Sequence, residues 1–410
     1  MKSTAIILAT FAFGYLLAIT FRSVNALIAP NLVADVGIDA AMLGLMTSAL
    51  LIAHGASQLP LGIALDRHGP RRVQAVLLCC AAAGALLFAV GNDALTLTIG
   101  RALIGVGFAG ALMSGFKAVT MFMPGDRQAM GNAIVMGGGQ VGFIVSTWPA
   151  EIAVELIGWR AVFAGLAAIT LGAAALYFML VPDWRAEKRQ TFGNQIGGLM
   201  RVFRNPVTWR IAPLVWTTAG TQIAMVTLWA GPWYRDVAGY DRAGVATGLL
   251  VNAVSAVTGI LLGGWIADRL GRRGVSLLTV MSGLLVLFIL SGIPMILGLD
   301  RLSPFAWVVF AAGGQWGIIA YPWLAAFYGK DLSSRAQTGV NLGIFLFAFL
   351  LQFAVGWIID LFPPTAAGGY EPFAYQIAFG AVFAMQVLAL AWFLAGRGLI
   401  AARLAQRQSS

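Results

Sequence analysis

Twelve long apolar stretches, separated by short charged or turn-rich breaks, constrain the fold of this 410-residue chain more than any other feature. Most are long enough to cross a hydrocarbon layer about 30 Å thick as helices, which takes roughly 20 residues. They are also too long and too uniformly apolar to be the alternating strands of a membrane barrel. We therefore predict an all-α membrane protein. The predicted spans lie near 4–29, 40–65, 73–91, 95–122, 128–151, 157–181, 207–233, 244–266, 275–298, 304–328, 337–361 and 372–395.

The composition excludes a soluble globular protein. Hydrophobic residues make up 60% of the chain and charged residues 10%, whereas soluble domains contain about 25% charged residues. Such a chain in water would expose apolar surface that it could not cover. The two cysteines, Cys79 and Cys80, are adjacent within an apolar run, so we expect no disulfide framework.

The longest polar interruption, 182–206, lies almost at the midpoint of the chain and carries five Lys or Arg residues. It predicts a cytoplasmic linker between two domains of the same kind. The predicted organisation is a six-helix bundle at 1–181, the linker, a second six-helix bundle at 207–395 and a cytoplasmic tail at 396–410. The first apolar run includes Arg22 and lacks a small-x-small exit site, so it is interpreted as a retained span rather than a cleaved signal.

The net charge of +10 is distributed asymmetrically along the chain. With the amino terminus inside, nineteen Lys and Arg residues lie in predicted cytoplasmic segments and four lie on the outer side. This bias is the positive-inside rule. The excess charge is therefore interpreted as anchoring at the lipid bilayer and not as a nucleic-acid footprint, and both termini are predicted to be cytoplasmic.

One short motif occurs twice, 202 residues apart. The glycines permit close packing and a sharp turn, the aspartate can accept hydrogen bonds from a neighbouring helix terminus, and the arginines can anchor at the lipid surface. A motif repeated at half-length is typical of transporters built from parallel repeats. The Gly, Asp, Arg and Gly keep the same spacing in both copies. The first copy, after the second span, is Gly62, Asp66, Arg67 and Gly69, followed by Arg71; the second, after the eighth span, is Gly264, Asp268, Arg269 and Gly271, followed by Arg272.

These residues resemble motif A of the major facilitator superfamily, and Arg101, Gly105 and Gly107 resemble its motif B. The resemblance covers the whole chain. It implies the MFS fold, with 12 transmembrane helices in two pseudo-symmetric six-helix bundles around a central cavity. It also implies a bacterial inner-membrane location, alternating access, and cytoplasmic gating by the two motif copies. The fifth span, 128–151, is glycine-rich but lacks the Gly-Pro pair of the antiporter motif, which disfavours drug efflux.

Three basic residues lie within predicted spans: Arg22, Arg101 and Lys117. Charged groups at membrane depth are costly and indicate function. Arg22 lies roughly 12 Å along the first helix from its outer end and Arg101 roughly 9 Å along the fourth. By the resemblance both helices line the cavity, so two guanidinium groups would face one space. No Asp or Glu lies near the middle of a span, which favours a small anion, with a carboxylate as the expected group.

Uncharged polar and aromatic side chains near mid-depth are the further candidates for substrate contact, because such groups orient a ligand in a largely apolar pocket. Each of the polar groups has the alternative role of hydrogen-bonding between helices. The aromatic ones have the alternative role of an interfacial belt. These candidates are Asn25, His54, Gln140, Gln222, Gln315, Trp316, Tyr321 and Gln352.

The coupling mode stays open at the level of sequence. Lys117 is a candidate anion contact or a residue that reaches the inner headgroups. Glu151 is a candidate proton site or a partner of Arg22 or Arg160. His54 can titrate near neutral pH or pack as a neutral ring. Proton symport fits these residues, and anion exchange would need no titrating acid.

The sequence therefore predicts a secondary active transporter of a small organic anion, by proton-coupled symport, acting as a monomer. The alternatives are an exporter of drugs or amphipathic compounds and a non-transporting sensor on the same scaffold. Phosphate-loop and dinucleotide fingerprints are missing and Cys and His are few. We therefore expect no enzyme activity, no cofactor and no metal.

Overall fold

The computed structural model describes residues 4–123, 128–183, 192–299, 302–329, 332–365 and 368–408. Nearly all of them are helical, and an isolated bridge pairs Pro364 with Tyr370. The α-helices, numbered in chain order, are α1 Thr4–Ser23, α2 Asn25–Val36, α3 Ala40–Val90, α4 Ala94–Phe108, α5 Ala111–Phe122, α6 Gln128–Val145, α7 Trp148–Leu180, α8 Phe192–Phe203, α9 Pro206–Ala224, α10 Ala230–Asp236, α11 Arg242–Gly271, α12 Leu277–Leu290, α13 Ile293–Ile296, α14 Ser303–Gly313, α15 Ala320–Tyr328, α16 Ser333–Ile359, α17 Pro372–Ala395 and α18 Arg397–Gln408.

Eleven helical segments among the described residues are long and apolar enough to cross a membrane. A shorter apolar helix, Met130–Val145, lies in the predicted fifth span. There α6 ends at Val145, a turn follows at Ser146 and Thr147, and α7 begins at Trp148 with a proline in its first turn. Proline at this position has no amide proton to donate, so it starts a new helix rather than continuing the previous one.

Glycines in the left-handed region separate spans that are otherwise continuous helix. Gly69, at φ 75°, divides α3 into the predicted second and third spans, and Gly158, at φ 77°, divides α7. Only glycine adopts such a backbone without strain. The two motif copies turn differently, because α11 continues through Gly271 and the left-handed residue is Gly274.

Two helices lie in segments predicted as linker and tail. Helix α8 occupies the second half of 182–206, and the Asn205 side chain caps α9 by accepting a hydrogen bond from the Val207 amide at 3.0 Å. Helix α18 occupies most of 396–410.

The chain forms two compact units, with Met1–Phe192 and Arg242–Leu250 in unit 1 and Gly193–Asp241 and Val251–Ser410 in unit 2. In unit 1, α3 packs on α4 and α7, and α1 packs on α6. Glycines set the close approach of α1 and α6: a Cβ on Gly138 would lie 2.3 Å from the Ala12 carbonyl oxygen, and one on Gly142 would lie 2.2 Å from that of Leu16. Small residues at such contacts are a common basis of helix packing in membranes.

In unit 2, α9 packs on α16 and α17, and an aromatic cluster forms much of the core. Trp233, Trp307 and Phe310 are all buried, and the Trp307 ring centroid lies 5.8 Å from that of Trp233 and 5.4 Å from that of Phe310. Between α9 and α10 the chain forms a π-helix, Met225–Trp229, and before α15 it forms a 3₁₀-helix, Trp316–Ile319.

Candidate functional site

Arg22, in the last turn of α1, forms the centre of a polar group in unit 1. Its guanidinium forms a hydrogen bond with the phenol of Tyr15. Its positive charge also interacts with the imidazole of His54 on α3. All three side chains are half-buried. Arg22 and His54, two of the residues predicted from sequence, therefore lie near enough for the charge of Arg22 to act on the imidazole.

His54 is held as a neutral imidazole by Gln58, one turn further along α3. The Gln58 Nε2 atom lies 3.0 Å from His54 Nε2 and donates to the Ala109 carbonyl at 3.3 Å. Because an amide nitrogen is only a donor, His54 Nε2 must accept and carries no proton. The ring proton is then on Nδ1. Arg22 is the charged member of this group.

Arg101 of α4 is enclosed, with an exposure of 1%, and does not share the partly accessible position of Arg22. Its Nη1 donates to the Phe21 carbonyl at 2.9 Å, and its Cζ lies 4.7 Å from the ring centroid of Phe88 and 5.4 Å from that of Phe163. These aromatic faces stabilise the cation at low dielectric. The guanidinium thus joins α4 to α1 at the residue before Arg22.

Asn25 begins α2, directly after the break between α1 and α2 at Val24. Its side chain is buried, and neither its Oδ1 nor its Nδ2 has a hydrogen-bond partner among the described residues. A buried amide without partners costs free energy and calls for a ligand or water to satisfy it.

Two predicted glutamines meet in unit 2. Gln315 is the residue before the 3₁₀-helix, and its Nε2 donates a hydrogen bond to Oε1 of Gln222 on α9 at 2.8 Å. Gly314 makes room for this pair, because a Cβ there would lie 1.9 Å from Gln222 Cγ.

The π-helix between α9 and α10 is held by Gln352 of α16. Gln352 Nε2 donates to Thr227 Oγ1 at 2.9 Å, and Trp229 Nε1 donates to the Gln352 carbonyl at 3.2 Å. The Gln352 Oε1 atom is buried without a hydrogen-bond partner among the described residues. A single π turn within a helix is frequent at functional sites.

The two predicted aromatic contacts differ in how they are held. Trp316 is buried, its Nε1 donates to the Gly259 carbonyl at 2.8 Å, and its ring lies over Gly263 of α11, where a Cβ would be 2.4 Å from Trp316 Cδ1. Tyr321 is half-buried, and its hydroxyl has no hydrogen-bond partner among the described residues. Trp316 is thus fixed against a neighbouring helix.

Glu151 is buried in the first turn of α7 and pairs with Arg242, the first residue of α11, within unit 1. The predicted alternative partner Arg160 pairs instead with Asp35, at 3.1 Å. The second carboxylate oxygen of Glu151, Oε2, is buried without a hydrogen-bond partner in the described part of the chain. Lys117 on α5 and Gln140 on α6 are both half-buried.

The first motif copy lies within α3 around the Gly69 break. Gly62 is half-buried and Arg67 is exposed, while the Asp66 side chain lies outside the described part of the structure. Arg71 places its Cζ 4.5 Å from the ring centroid of Phe178.

The second motif copy is more exposed than the first. Gly264, Asp268 and Arg269 are exposed on α11, and Arg269 Cζ lies 5.5 Å from the Trp265 ring centroid. Arg272 lies in the turn after α11, and its amide donates to the Asp268 carbonyl at 3.0 Å.

Four residues near these groups were not predicted: Tyr15, Gln58, Thr227 and Arg242. A phenol seven residues before Arg22 on the same helix face, and an amide four residues after His54, were readable from helical spacing. The remaining two, Thr227 and Arg242, depend on contacts between helices that lie far apart along the chain.

Comparison with known proteins agrees with this architecture. The family model of the Major Facilitator Superfamily matches residues 11–331. A probable sulfoacetate transporter of Cupriavidus necator is 25% identical, over 67% of this chain and 67% of that protein. A chloramphenicol resistance protein of Streptomyces lividans is 24% identical over 66% and 70%, and a nitrite extrusion protein of Bacillus subtilis is 24% identical over 88% and 85%.

Among solved structures, an inward-facing bacterial homologue of the human lysosomal transporter Spinster matches with a TM-score of 0.76 at 16% identity, over 96% of this chain and 98% of that one. At this identity the likeness concerns the fold. The predicted fold class and the predicted family are confirmed. The chain belongs to the Major Facilitator Superfamily and is a membrane transporter rather than an enzyme.

Proposed function

We propose that this protein is a secondary active transporter that moves a small organic anion, with a carboxylate as the expected charged group. The observation that carries the proposal is Arg22. It is a guanidinium within a membrane span, partly accessible, and grouped with a phenol and a neutral imidazole. A cation kept within an apolar span at a cost in free energy supports an anionic ligand.

The donor geometry of Arg22 narrows the class of ligand. A guanidinium presents forked donors that match carboxylate and sulfonate groups. Two relatives are named for sulfoacetate and nitrite, which have little in common besides negatively charged oxygen atoms. Both points support an anionic substrate.

The other predicted contacts have distinct proposed roles. Asn25, whose amide atoms lack partners among the described residues, contacts the substrate near Arg22. Arg101 positions α1 through the Phe21 carbonyl, and Lys117 attracts the anion electrostatically. The uncharged part of the substrate contacts side chains that are amide or aromatic: His54, Gln140, Gln222, Gln315, Trp316, Tyr321 and Gln352.

We propose that transport is symport with protons and that Glu151 is the coupling carboxylate. His54 is a weaker candidate because Gln58 holds its ring neutral. The Glu151 carboxylate is buried beside a single guanidinium and keeps one oxygen without a partner among the described residues, so a proton can be added there. Protonation would release Arg242.

The cellular arrangement is proposed from charge distribution and family. The protein lies in the bacterial inner membrane as a monomer. The positive-inside count supports a cytoplasmic position for both termini. Alternating access uses the two motif copies as cytoplasmic gates. The gating residues are Gly62, Asp66, Arg67, Arg71, Gly264, Asp268, Arg269 and Arg272.

Uptake by proteoliposomes tests the proposed function. Radiolabelled sulfoacetate and nitrite serve as probes, with an inside-alkaline pH gradient as the driving force. Wild-type protein is expected to accumulate at least one of them, and Arg22→Gln is expected to abolish accumulation while remaining folded. Accumulation by Arg22→Gln at the wild-type rate would remove Arg22 from the site.

A second candidate function, export of amphipathic compounds, is favoured by the resemblance to the chloramphenicol resistance protein. Growth of an expressing strain on chloramphenicol and on lipophilic cations distinguishes the two. The anion proposal predicts no change in the inhibitory concentrations.

A further inference from the structure

Tyr15 and Arg22 lie on one face of α1, where their side chains meet. Seven residues correspond to two helical turns, or about 10.5 Å along the axis. A long side chain on a helix leans toward the amino terminus, so Arg22 extends toward Tyr15. Ala18, between them on the same face, is small and leaves this path open, and all three residues are half-buried.

The backbone of α6 fixes the ring of Tyr15 from the other side. A Cβ on Gly139 would lie 2.3 Å from Tyr15 Cε1 and 2.6 Å from Cδ1, so the ring lies directly on this glycine. The close contact of α1 with α6 at Gly138 and Gly142 brackets the same position. The phenol therefore has little freedom to move toward α6.

The direction of the hydrogen bond between the two side chains follows from their chemistry. A guanidinium has five donors and no acceptor, so the Tyr15 oxygen accepts from Arg22. The hydroxyl proton of Tyr15 must then point away from Arg22. A donor whose oxygen already accepts from a cation is polarised and forms stronger hydrogen bonds.

We propose that Tyr15 is a second anion-binding residue, whose hydroxyl donates a hydrogen bond to the same ligand that Arg22 holds. The ligand class is then an oxyanion with at least two acceptor oxygens, such as a carboxylate or a sulfonate. One oxygen accepts from the Arg22 guanidinium and another accepts from Tyr15. This inference rests on the proposed function and adds a specificity-determining residue to it.

The test measures dissociation constants of the purified full-length protein in detergent, by titration calorimetry with sulfoacetate, nitrite, acetate and glycolate as probes. Tyr15→Phe keeps the ring on Gly139 and removes only the hydroxyl. Loss of a hydrogen bond to a charged group is expected to weaken oxyanion binding about tenfold or more.

Tyr177→Phe is the matched control. Tyr177 is also a phenol of unit 1, and its hydroxyl is buried without a hydrogen-bond partner among the described residues. Its replacement is expected to leave affinity within about twofold of wild type, because removing an unpaired group changes no ligand contact.

A double-mutant cycle separates ligand contact from general loosening of the fold. Gly139→Ala displaces the Tyr15 ring and is expected to weaken binding in the wild-type background. In the Tyr15→Phe background Gly139→Ala is expected to weaken binding much less, because the hydroxyl contact that it disturbs is already absent. Gly137→Ala, with nothing within 4 Å of the added Cβ, is the control on the same helix.

The outcomes separate this inference from the proposed function. Wild-type affinity in Tyr15→Phe together with lost binding in Arg22→Gln would overturn the role of Tyr15 and leave the transported class standing. Equal losses in Tyr15→Phe and Tyr177→Phe would also overturn it. If the wild-type protein binds none of the probes, the proposed function is overturned together with this inference.

Discussion

Replacing Gly142 by alanine tests whether the glycines of α6 that contact α1, Gly138 and Gly142, set the position of α1. The added Cβ would lie 2.2 Å from the Leu16 carbonyl oxygen and 2.9 Å from its carbon, whereas ordinary contact begins at 3.4 Å. The obstacle is backbone and cannot rotate away. The helices must therefore separate by about 1.2 Å, the difference between 3.4 and 2.2 Å. The Gly142 carbonyl also accepts a hydrogen bond from Thr20 Oγ1 at 3.1 Å, which this separation stretches.

Overpacking of this kind costs about 1–3 kcal/mol, which for a unit of about 200 residues lowers the melting temperature by roughly 2–12 °C. The assay is thermal unfolding of the purified protein in detergent, monitored by tryptophan fluorescence. Gly137→Ala is the control, because a Cβ there meets nothing within 4 Å, and alanine in a helix is favoured over glycine by roughly 0.5–1 kcal/mol. A melting temperature of Gly142→Ala at or above that of wild type would contradict this prediction. So would a melting temperature of Gly137→Ala lowered by the same amount as that of Gly142→Ala.

Three further predictions follow from other contacts. Asp93 caps α4 by accepting hydrogen bonds from the Thr96 hydroxyl at 2.6 Å and the Thr96 amide at 2.9 Å, and these bonds lower the pKa of Asp93 from its ordinary value. A carboxylate with a depressed pKa stabilises the fold above its unfolded-state pKa, and this stabilisation is lost as the pH falls through its folded-state pKa. The difference in stability between wild type and Asp93→Asn should therefore be full at neutral pH and vanish in acid. Gln315→Leu leaves Gln222 Oε1 without its 2.8 Å donor and should destabilise by about 1–3 kcal/mol, with Gln222→Leu/Gln315→Leu costing less than the sum of the single changes. Arg242→Gln leaves the buried Glu151 carboxylate uncompensated and should lower the melting temperature more than Glu151→Gln/Arg242→Gln does, since the double change removes the unpaired charge; equal losses would contradict the pairing.

The fold was largely predictable because it follows from span length. Apolar runs long enough to cross a bilayer have few alternatives to helix, and the repeated Gly-Asp-Arg motif predicts two similar halves. The turns were less predictable. Gly69 and Gly271 hold equivalent positions in sequence, yet only the first adopts a left-handed backbone, and in the second copy Gly274 does so. The choice depends on where each helix ends and not on the motif.

The site was predictable where it depends on one helix and unpredictable where it depends on several. Arg22 and Tyr15 share a helix face, so their proximity follows from spacing. Arg101 looks equivalent to Arg22 in sequence, but Phe88 and Phe163, which enclose it, come from α3 and α7. The partner of Glu151 likewise lies 91 residues away along the chain. Such contacts leave no periodic signal in a single sequence.

The central claim is that Arg22 holds the negative charge of a small anion. The most direct measurement compares thermal stabilisation of the purified protein by charged ligands and by their neutral isosteres, such as acetate with acetamide and glycolate with glycolamide, alongside sulfoacetate and nitrite. We expect that at least one anion raises the melting temperature, that neutral amides do not, and that Arg22→Gln removes the effect. Equal stabilisation by an anion and its amide, or full stabilisation of Arg22→Gln, would contradict it.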